Sequence, residues 1–458
     1  MPNNANGILK FPENYPNKSE NQYPDEIFYK IIERTNEEDT NYKKISDERN
    51  NVLSKILDLH ILKYENKNEG LKEEYLKLRA DINSEQDLFY RILKQKDNNL
   101  WKEIYENINI EKEYSIEEIK SSLDRVNKEI EGEKKYDEQL LKAYYTKLWC
   151  FNFITFNYIQ NDELIDLLIS QNKINLTEKG NEKNLSNEEY KTLLKNKYKI
   201  IYLEKGQSLR ELIKLIQLKI KDKSKSQLLI QKIMKQILIG LYLIHHLSKE
   251  QCLYHNDLKP DNILICFNEK NDNEEINTEE QFINKYMNAT YKLVDLDLTR
   301  QIKYFEIQEE YRNRMYKNNI FPYDDPDKEE IYEVGEILWE LLTGEMHYLD
   351  DKKNFDYKKM YLKKNCIIKE SEKLCLPTVK FLHSCLQNDR RYRITCDDAL
   401  EHEFIIKEKN FNQPINFKDL PKDMVSQDEK FFYLPIYRPT LGLNKYSMSE
   451  DEETNVEF

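Results

Sequence analysis

The stretch Tyr254-His255-Asn256-Asp257-Leu258-Lys259-Pro260-Asp261-Asn262-Ile263-Leu264 decides how this chain is read. It sets an acid, a base and an amide at Asp257, Lys259 and Asn262, on a polar loop. The loop follows the strongly apolar segment Leu228 to Leu247, whose pattern predicts a buried helix. Such a trio suits phosphoryl transfer, which demands little covalent chemistry from a protein. It demands a positioned hydroxyl, neutralised charge and a held metal. Asp257 can orient the hydroxyl and take its proton, and Lys259 can reach a γ-phosphate. Asn262 offers a neutral oxygen to magnesium, a hard cation that prefers oxygen ligands.

With these residues in view, the segment resembles the H-R-D-L-K-P-x-N catalytic loop of eukaryotic protein kinases, and Lys259 is similar to the Ser/Thr branch. Asn256 stands where that family usually has Arg, which speaks against the usual control by a phosphorylated activation loop. Downstream, Lys292-Leu293-Val294-Asp295-Leu296-Asp297 resembles the family's strand and D-F-G segment. The resemblance puts Asp295 on the metal-chelating acid. Leu296 keeps an apolar plug, and Asp297 replaces a glycine whose backbone freedom a side chain restricts.

Three further segments resemble the family's framework. Lys199 to Leu209 is similar to the hinge strand and the start of the next helix, which implies Ile201 and Leu203 beside the nucleotide. Glu330-Ile331-Tyr332-Glu333-Val334-Gly335 looks like the buried helix that anchors the large lobe, with Glu330 in place of Asp. Arg390 to Phe404 resembles the closing helix, with Arg393 as its buried arginine. The resemblance thus gives His255, Gly335 and Arg393 structural roles. Arg393 normally pairs with the Glu of an A-P-E segment, but Met315 to Pro322 has no acid. Either Asp324 or Asp325 substitutes, or the segment is rebuilt, because an unpaired buried charge costs several kcal/mol.

The first half matches less well. A protein kinase covers phosphates with G-x-G-x-x-G, whereas residues 1–200 hold only Gly7, Gly70, Gly132 and Gly180. Asn157 stands where the small-lobe lysine would be. Lys147, from a neighbouring strand, and Glu163, on a following helix, are the substitutes for that Lys–Glu pair; a solvated first-turn Glu is the plainer reading of Glu163. The run Tyr144 to Phe156 fits either a strand or a buried helix. From about Ile27 to Leu141 the pattern is helical, with stripes at Val52, Ile56, Leu59 and at Leu71, Tyr75, Leu78. A helical bundle and a partner-binding coiled-coil arm both fit, although sustained heptads are absent.

Composition narrows the class. The 458 residues are 39% hydrophobic and 34% charged, with net charge −13, and basic and acidic residues are mixed along the chain, so no nucleic-acid stripe stands out. The seven cysteines form no C-x-x-C, which argues against a disulfide framework or a zinc site and fits a cytoplasmic or other reducing intracellular compartment. The start carries no signal pattern. Lys232, Lys235, His245 and His246 make Leu228 to Leu247 a poor membrane span.

The expected fold is therefore α+β: a kinase-like two-lobed fold with a degenerate small lobe and a helical N-terminal extension. Its parts are an extended or disordered arm (1–25), the helical extension (26–142), small lobe and hinge (143–205), large lobe (206–408) and an acidic tail (409–458). The polar segment 268–288 reads as a surface insertion. Ser208 and Glu211 have capping-box spacing, and Gly344 reads as a helix C-cap. The expected activity is ATP- and Mg2+-dependent transfer to Ser/Thr hydroxyls. A pseudokinase scaffold, or a small-molecule kinase of the choline or aminoglycoside type, also fits. A protein partner or substrate is expected at the N-terminal helices.

Overall fold

The structure is a computed structural model. It describes residues 6–10, 26–33, 38–64, 70, 72, 73, 75, 76, 104, 106–109, 112–129, 136–154, 157–159, 186, 188, 189, 192, 198–203, 206–249, 252–267, 276–296, 300–302, 326–344, 366–369, 375–387, 392–406 and 431–434.

The chain opens with two antiparallel strands, β1 (Asn6–Lys10) and β2 (Glu26–Glu33). Strand β1 lies in the segment read as an extended or disordered arm, whereas β2 differs from the sequence reading of a helix from about Ile27. Ile27-Phe28-Tyr29 and Ile31-Ile32 are β-branched and aromatic residues that suit a pleated surface. The helix α1 begins only at Glu38 and runs to Tyr64, burying Ile45, Val52, Leu53, Ile56 and Leu59. Of the second predicted stripe, Tyr75 is buried, while Leu71 and Leu78 lie outside the described residues.

Helix α2 (Ile116–Asn127) starts at a capping box between Ser115 and Glu118 and buries Ile116, Ile119 and Leu123. Helix α3 (Glu138–Cys150) is capped by Asp137. All of its residues from Ala143 to Cys150 are buried, so the ambiguous aromatic run is a helix. A helix enclosed on all sides loses the one-sided stripe that would reveal its period. A single 3-10 turn, Phe151–Phe153, follows, and Ile154 bridges Leu293 of the large lobe. Two strands complete the small sheet: β3 (Asn157–Ile159) and β4 (Tyr198–Leu203) give the order β1-β2-β4-β3.

The large lobe begins with β5 (Gln207–Ser208) and α4 (Leu209–Lys219). Ser208 Oγ caps α4 by accepting from Arg210 N at 3.1 Å. Glu211 does not close the predicted box, so Ser208 is a single-sided cap. Next comes α5 (Lys223–His245), the central helix, with Leu229, Ile233, Ile237, Leu241 and Ile244 at 1% exposure or less. By length and hydropathy α5 could cross a membrane, but 83% of its apolar window is buried inside this fold. Strand β6 (Cys252–Tyr254) leads into the catalytic-type loop and a 3-10 turn, Pro260–Asn262. Strand β7 (Ile263–Cys266) follows.

The segment read as a surface insertion contains α6 (Glu279–Met287), which packs on α5 through Phe282 and Tyr286. Its Thr278–Gln281 capping box lies within the run that composition alone marked as polar. Strand β8 (Thr290–Leu293) pairs with β7 and β9 (Arg300–Ile302) with β6. Helix α7 (Pro326–Thr343) is the second buried rod, and Gly344 ends it at φ +75, a conformation that favours glycine. A Cβ on Gly335 would meet Cys385 and Leu386 side-chain atoms at 2.8 Å, so glycine there lets the next helix pack directly on α7. The chain ends with β10 (Cys366–Lys369), α8 (Leu376–Cys385), α9 (Cys396–Glu401), α10 (Glu403–Ile406) and β11 (Phe431–Leu434). The Phe431-Phe432-Tyr433 cluster pairs antiparallel with β10.

The N-terminal helices are fastened to the large lobe by polar contacts. Lys120 on α2 donates to Asp397 O at 2.8 Å and to Glu401 Oε1 at 2.6 Å. Asn127 Nδ2 donates to His246 O at 3.1 Å. Lys147 on α3 is fully buried and donates to Glu48 Oε1 (2.7 Å), Asn127 Oδ1 (3.2 Å) and Leu247 O (2.6 Å). One ammonium therefore joins α1, α2, α3 and the end of α5.

Candidate active site

The loop after β6 carries the site, and α7 holds the loop. Asn256 N donates to Glu330 Oε1 at 2.9 Å and Leu258 N donates to Glu333 Oε2 at 3.1 Å. Glu330 is 1% exposed, and its other oxygen accepts from His245 Nε2 at 2.5 Å. Two glutamates thus bind amides on either side of Asp257. Asn256 sits at φ 58 and Asp295 at φ 65, in the left-handed region. Asn and Asp tolerate that region better than other side chains. Residues held there cost about 1–3 kcal/mol and gather at functional sites.

Asp257, Lys259 and Asn262 form one hydrogen-bonded cluster. Lys259 Nζ lies 2.6 Å from Asp257 Oδ2. Asn262 Nδ2 donates to Asp257 O at 2.8 Å and Oδ2 at 2.9 Å. The side chains of Asp257 and Lys259 are 28% and 46% exposed, open enough to meet a substrate. Asn262 is 5% exposed and points its amide group at Asp257, which leaves its oxygen side for a cation. The cluster is tied to the other predicted metal ligand through the backbone. Val294 N donates to Asn262 O at 3.0 Å, and the ladder pairs Ile263 with Leu293, so Asn262 and Asp295 lie at one end of the β7–β8 pair. His255, wholly buried, donates from Nε2 to Val294 O at 2.9 Å and clamps the same junction. Leu296 is fully buried as an apolar plug, and Asp297 lies outside the described residues.

Sequence reasoning missed the braces around this cluster. Arg210, at the start of α4, pairs with Asp261 Oδ2 at 3.0 Å and with Glu340 of α7. Glu330, Glu333, Glu336 and Glu340 recur at helical spacing in the otherwise apolar stretch 330–342, a pattern that could have marked α7 as the loop's support. Burial pushes the Glu336 carboxyl well above the usual carboxylate range, with Glu333 and Glu340 adding to the shift. Burial also raises Glu340, against the pull of Arg210.

The remaining predicted residues fall as follows. Ile201 and Leu203 lie on β4, where Ile201 pairs with Lys30 and Tyr158 and Leu203 pairs with Phe28. Lys147 is not a strand residue facing a nucleotide. It sits in helix α3 with its ammonium enclosed by Glu48, Asn127 and Leu247. Burial lowers its pKa, and Glu48 opposes that shift. Glu163, Asp324 and Asp325 lie outside the described residues. Arg393 is 1% exposed, and part of its charge is met by carbonyls: Nη1 donates to Lys328 O at 2.6 Å and Nη2 to Gln387 O at 3.0 Å. Its guanidinium also lies 4.9 Å from the centre of the Tyr332 ring.

Comparison with known proteins covers the same segment. The family model described as "Protein kinase domain" matches residues 172–405, half of the chain. Mitogen-activated protein kinase kinase 1 of Arabidopsis thaliana is 27% identical over 180 residues, which is 38% of this chain and 45% of that protein. Calcium-dependent protein kinase 5 of Plasmodium berghei is 29% identical over 206 residues, 44% of this chain and 33% of that one. The chain thus spans less than half the length of these curated relatives. Among solved structures, the Rad53 kinase domain in complex with AMPPNP matches at 18% identity and TM-score 0.30, covering 48% of this chain and 74% of that one. The twitchin kinase region of C. elegans matches at 19% identity and TM-score 0.31, covering 47% and 34%. The family match spans the hinge strand, the loop at Asp257 and the closing helix at Arg393, and on that ground the chain belongs to the protein kinase family.

Proposed function

We propose that this protein transfers the γ-phosphoryl group of ATP to Ser or Thr hydroxyls in a magnesium-dependent reaction. The carrying observation is the Asp257–Lys259–Asn262 cluster, braced from α7 and joined through Val294 to Asp295. ATP supplies the phosphoryl group, and magnesium neutralises charge on it. Asn262 and Asp295 offer a carboxamide oxygen and a carboxylate, the hard donors that magnesium takes. Asp257 orients the acceptor hydroxyl and receives its proton. Lys259, 2.6 Å from Asp257, supplies a cation for the transferring group. Lys259 and the family match together favour a protein acceptor over a small molecule.

A pseudokinase that serves as a scaffold is the second reading, and Lys147 favours it. The lysine offered as the substitute for the small-lobe lysine is consumed in fastening the N-terminal helices. In that reading α1, α2 and α3 serve a protein partner. Six cysteines among the described residues are buried and outside any disulfide, which supports a reducing compartment. The test is transfer of labelled phosphate from ATP to a degenerate Ser/Thr peptide library, with Asp257→Asn alongside. Magnesium-dependent labelling that the variant lacks supports the enzyme. No labelling by either protein, of peptide or of itself, sinks it in favour of the scaffold.

A further inference from the structure

Cysteine spacing spoke against a zinc site, yet the fold assembles metal-ligand chemistry that no local motif could display. His245 closes α5, Asp327 lies in the first turn of α7, and Cys396 opens α9. One ligand atom from each lies within 4.8 Å of the other two. His245 is 6% exposed and Cys396 1%, so two of the three are enclosed. Asp327, at 20%, leaves one side of the cluster reachable from solvent.

The surroundings orient these groups. His245 Nε2 is engaged by Glu330 Oε2 at 2.5 Å, which directs Nδ1 toward Asp327 Oδ1 at 3.6 Å, longer than a hydrogen bond. A carboxylate on the far nitrogen is how metal-binding histidines are commonly fixed in tautomer and ring orientation. Cys396 N donates to Asp327 Oδ1 at 3.1 Å, which holds the carboxylate beside the thiol. The separate Asp257 cluster shares none of these three side chains.

We propose that His245 Nδ1, Asp327 and Cys396 Sγ form a transition-metal site of zinc type, with the fourth position open to water. One nitrogen, one oxygen and one sulfur suit a borderline-soft, tetrahedral ion and do not suit magnesium or calcium. At metal–ligand distances of about 2.0–2.3 Å no pair needs to close by more than about 1 Å on binding. Binding releases the Cys396 thiol proton to solvent, and the Nδ1 proton as well when His245 enters as imidazolium. The ion would lock three helices together. Through Glu330 it would also stiffen the support of the Asn256 amide.

The experiment is titration of the chelator-stripped full-length protein with cobalt(II), followed by displacement with zinc. The expected result is one equivalent bound with a thiolate-to-cobalt charge-transfer band, lost on adding zinc. Cys396→Ala abolishes the band, and Asp327→Asn, which keeps the acceptor for Cys396 N, weakens binding at least tenfold. Cys252→Ala, which alters a nearby thiol on β6, leaves it unchanged. The circular dichroism of each stripped variant establishes that it is folded. No cobalt spectrum at ten equivalents would overturn the site and leave His245 as a plain ion-pair partner of Glu330 and Asp327. A band that survives in Cys396→Ala, or that disappears in Cys252→Ala, would overturn the assignment of its sulfur.

Discussion

Replacing Lys147 with Met separates a fastening role from a nucleotide-binding one. Met keeps most of the aliphatic stem and removes the ammonium. Glu48, 13% exposed, then loses its cationic partner, and Leu247 O and Asn127 Oδ1 lose the lysine donor. Breaking one side of a buried ion pair costs about 3–5 kcal/mol. That is a large share of a typical domain stability of about 5–15 kcal/mol. With a urea dependence of about 3 kcal/mol/M, the unfolding midpoint falls by about 1–2 M. Adding Glu48→Gln should recover part of the loss, because the orphaned carboxylate is gone. The assay is urea denaturation followed by circular dichroism, with ATP affinity measured on the folded variant. A midpoint that stays in place while ATP affinity collapses would refute the reasoning and return Lys147 to the phosphates.

Other expectations follow from single contacts. Asp257→Asn should leave the thermal midpoint nearly unchanged and lower phosphoryl transfer by about 10²–10⁴-fold, the usual range for a lost general base; full activity in a transfer assay would remove Asp257 from that role. Burial lowers the His402 pKa to about 4, and its Nδ1 accepts from Phe404 N at 3.1 Å, which requires a neutral ring. Its folded pKa lies below the unfolded value of about 6.5, so the unfolded chain binds more protons between the two. Stability from this group is therefore full above about pH 6.5 and falls as pH drops toward 4, and melting curves across that window should flatten in His402→Gln. Gly344→Ala should cost about 1–2 kcal/mol through its positive φ, and its Cβ would also meet Gln217 Cγ at 2.7 Å; an unshifted melting point would contradict that.

The large lobe was legible because its signals are local. Asp257, Lys259 and Asn262 sit within one loop, Gly344 ends a helix at its own φ, and α5 and α7 are long apolar rods. What failed was what depends on distant partners. The residues of Glu26–Glu33 suit a strand, but the partner that fixes it, Tyr198–Leu203, lies far along the chain, and the sequence near Ile27 does not announce that pairing. The second half of helix α3, Ala143 to Cys150, is buried all round, so its aromatic run carried no period to read. Lys147 looked like a free cation because its partner Glu48 lies far back on α1. Phe282 and Tyr286 were hidden in a polar composition, although their spacing is helical. The braces at Arg210, Glu333 and Glu340 join segments far apart in the chain, and only their recurrence along α7 could have exposed them.

The central claim is a working metal-dependent nucleotide site at Asp257, Asn262 and Asp295. Calorimetric titration with ATP, with and without magnesium, using the wild type and Asp295→Asn in parallel, tests it most directly. The account predicts magnesium-dependent binding by the wild type that Asp295→Asn loses while its fold is retained. Binding of equal strength in both proteins, or none in either, would contradict it.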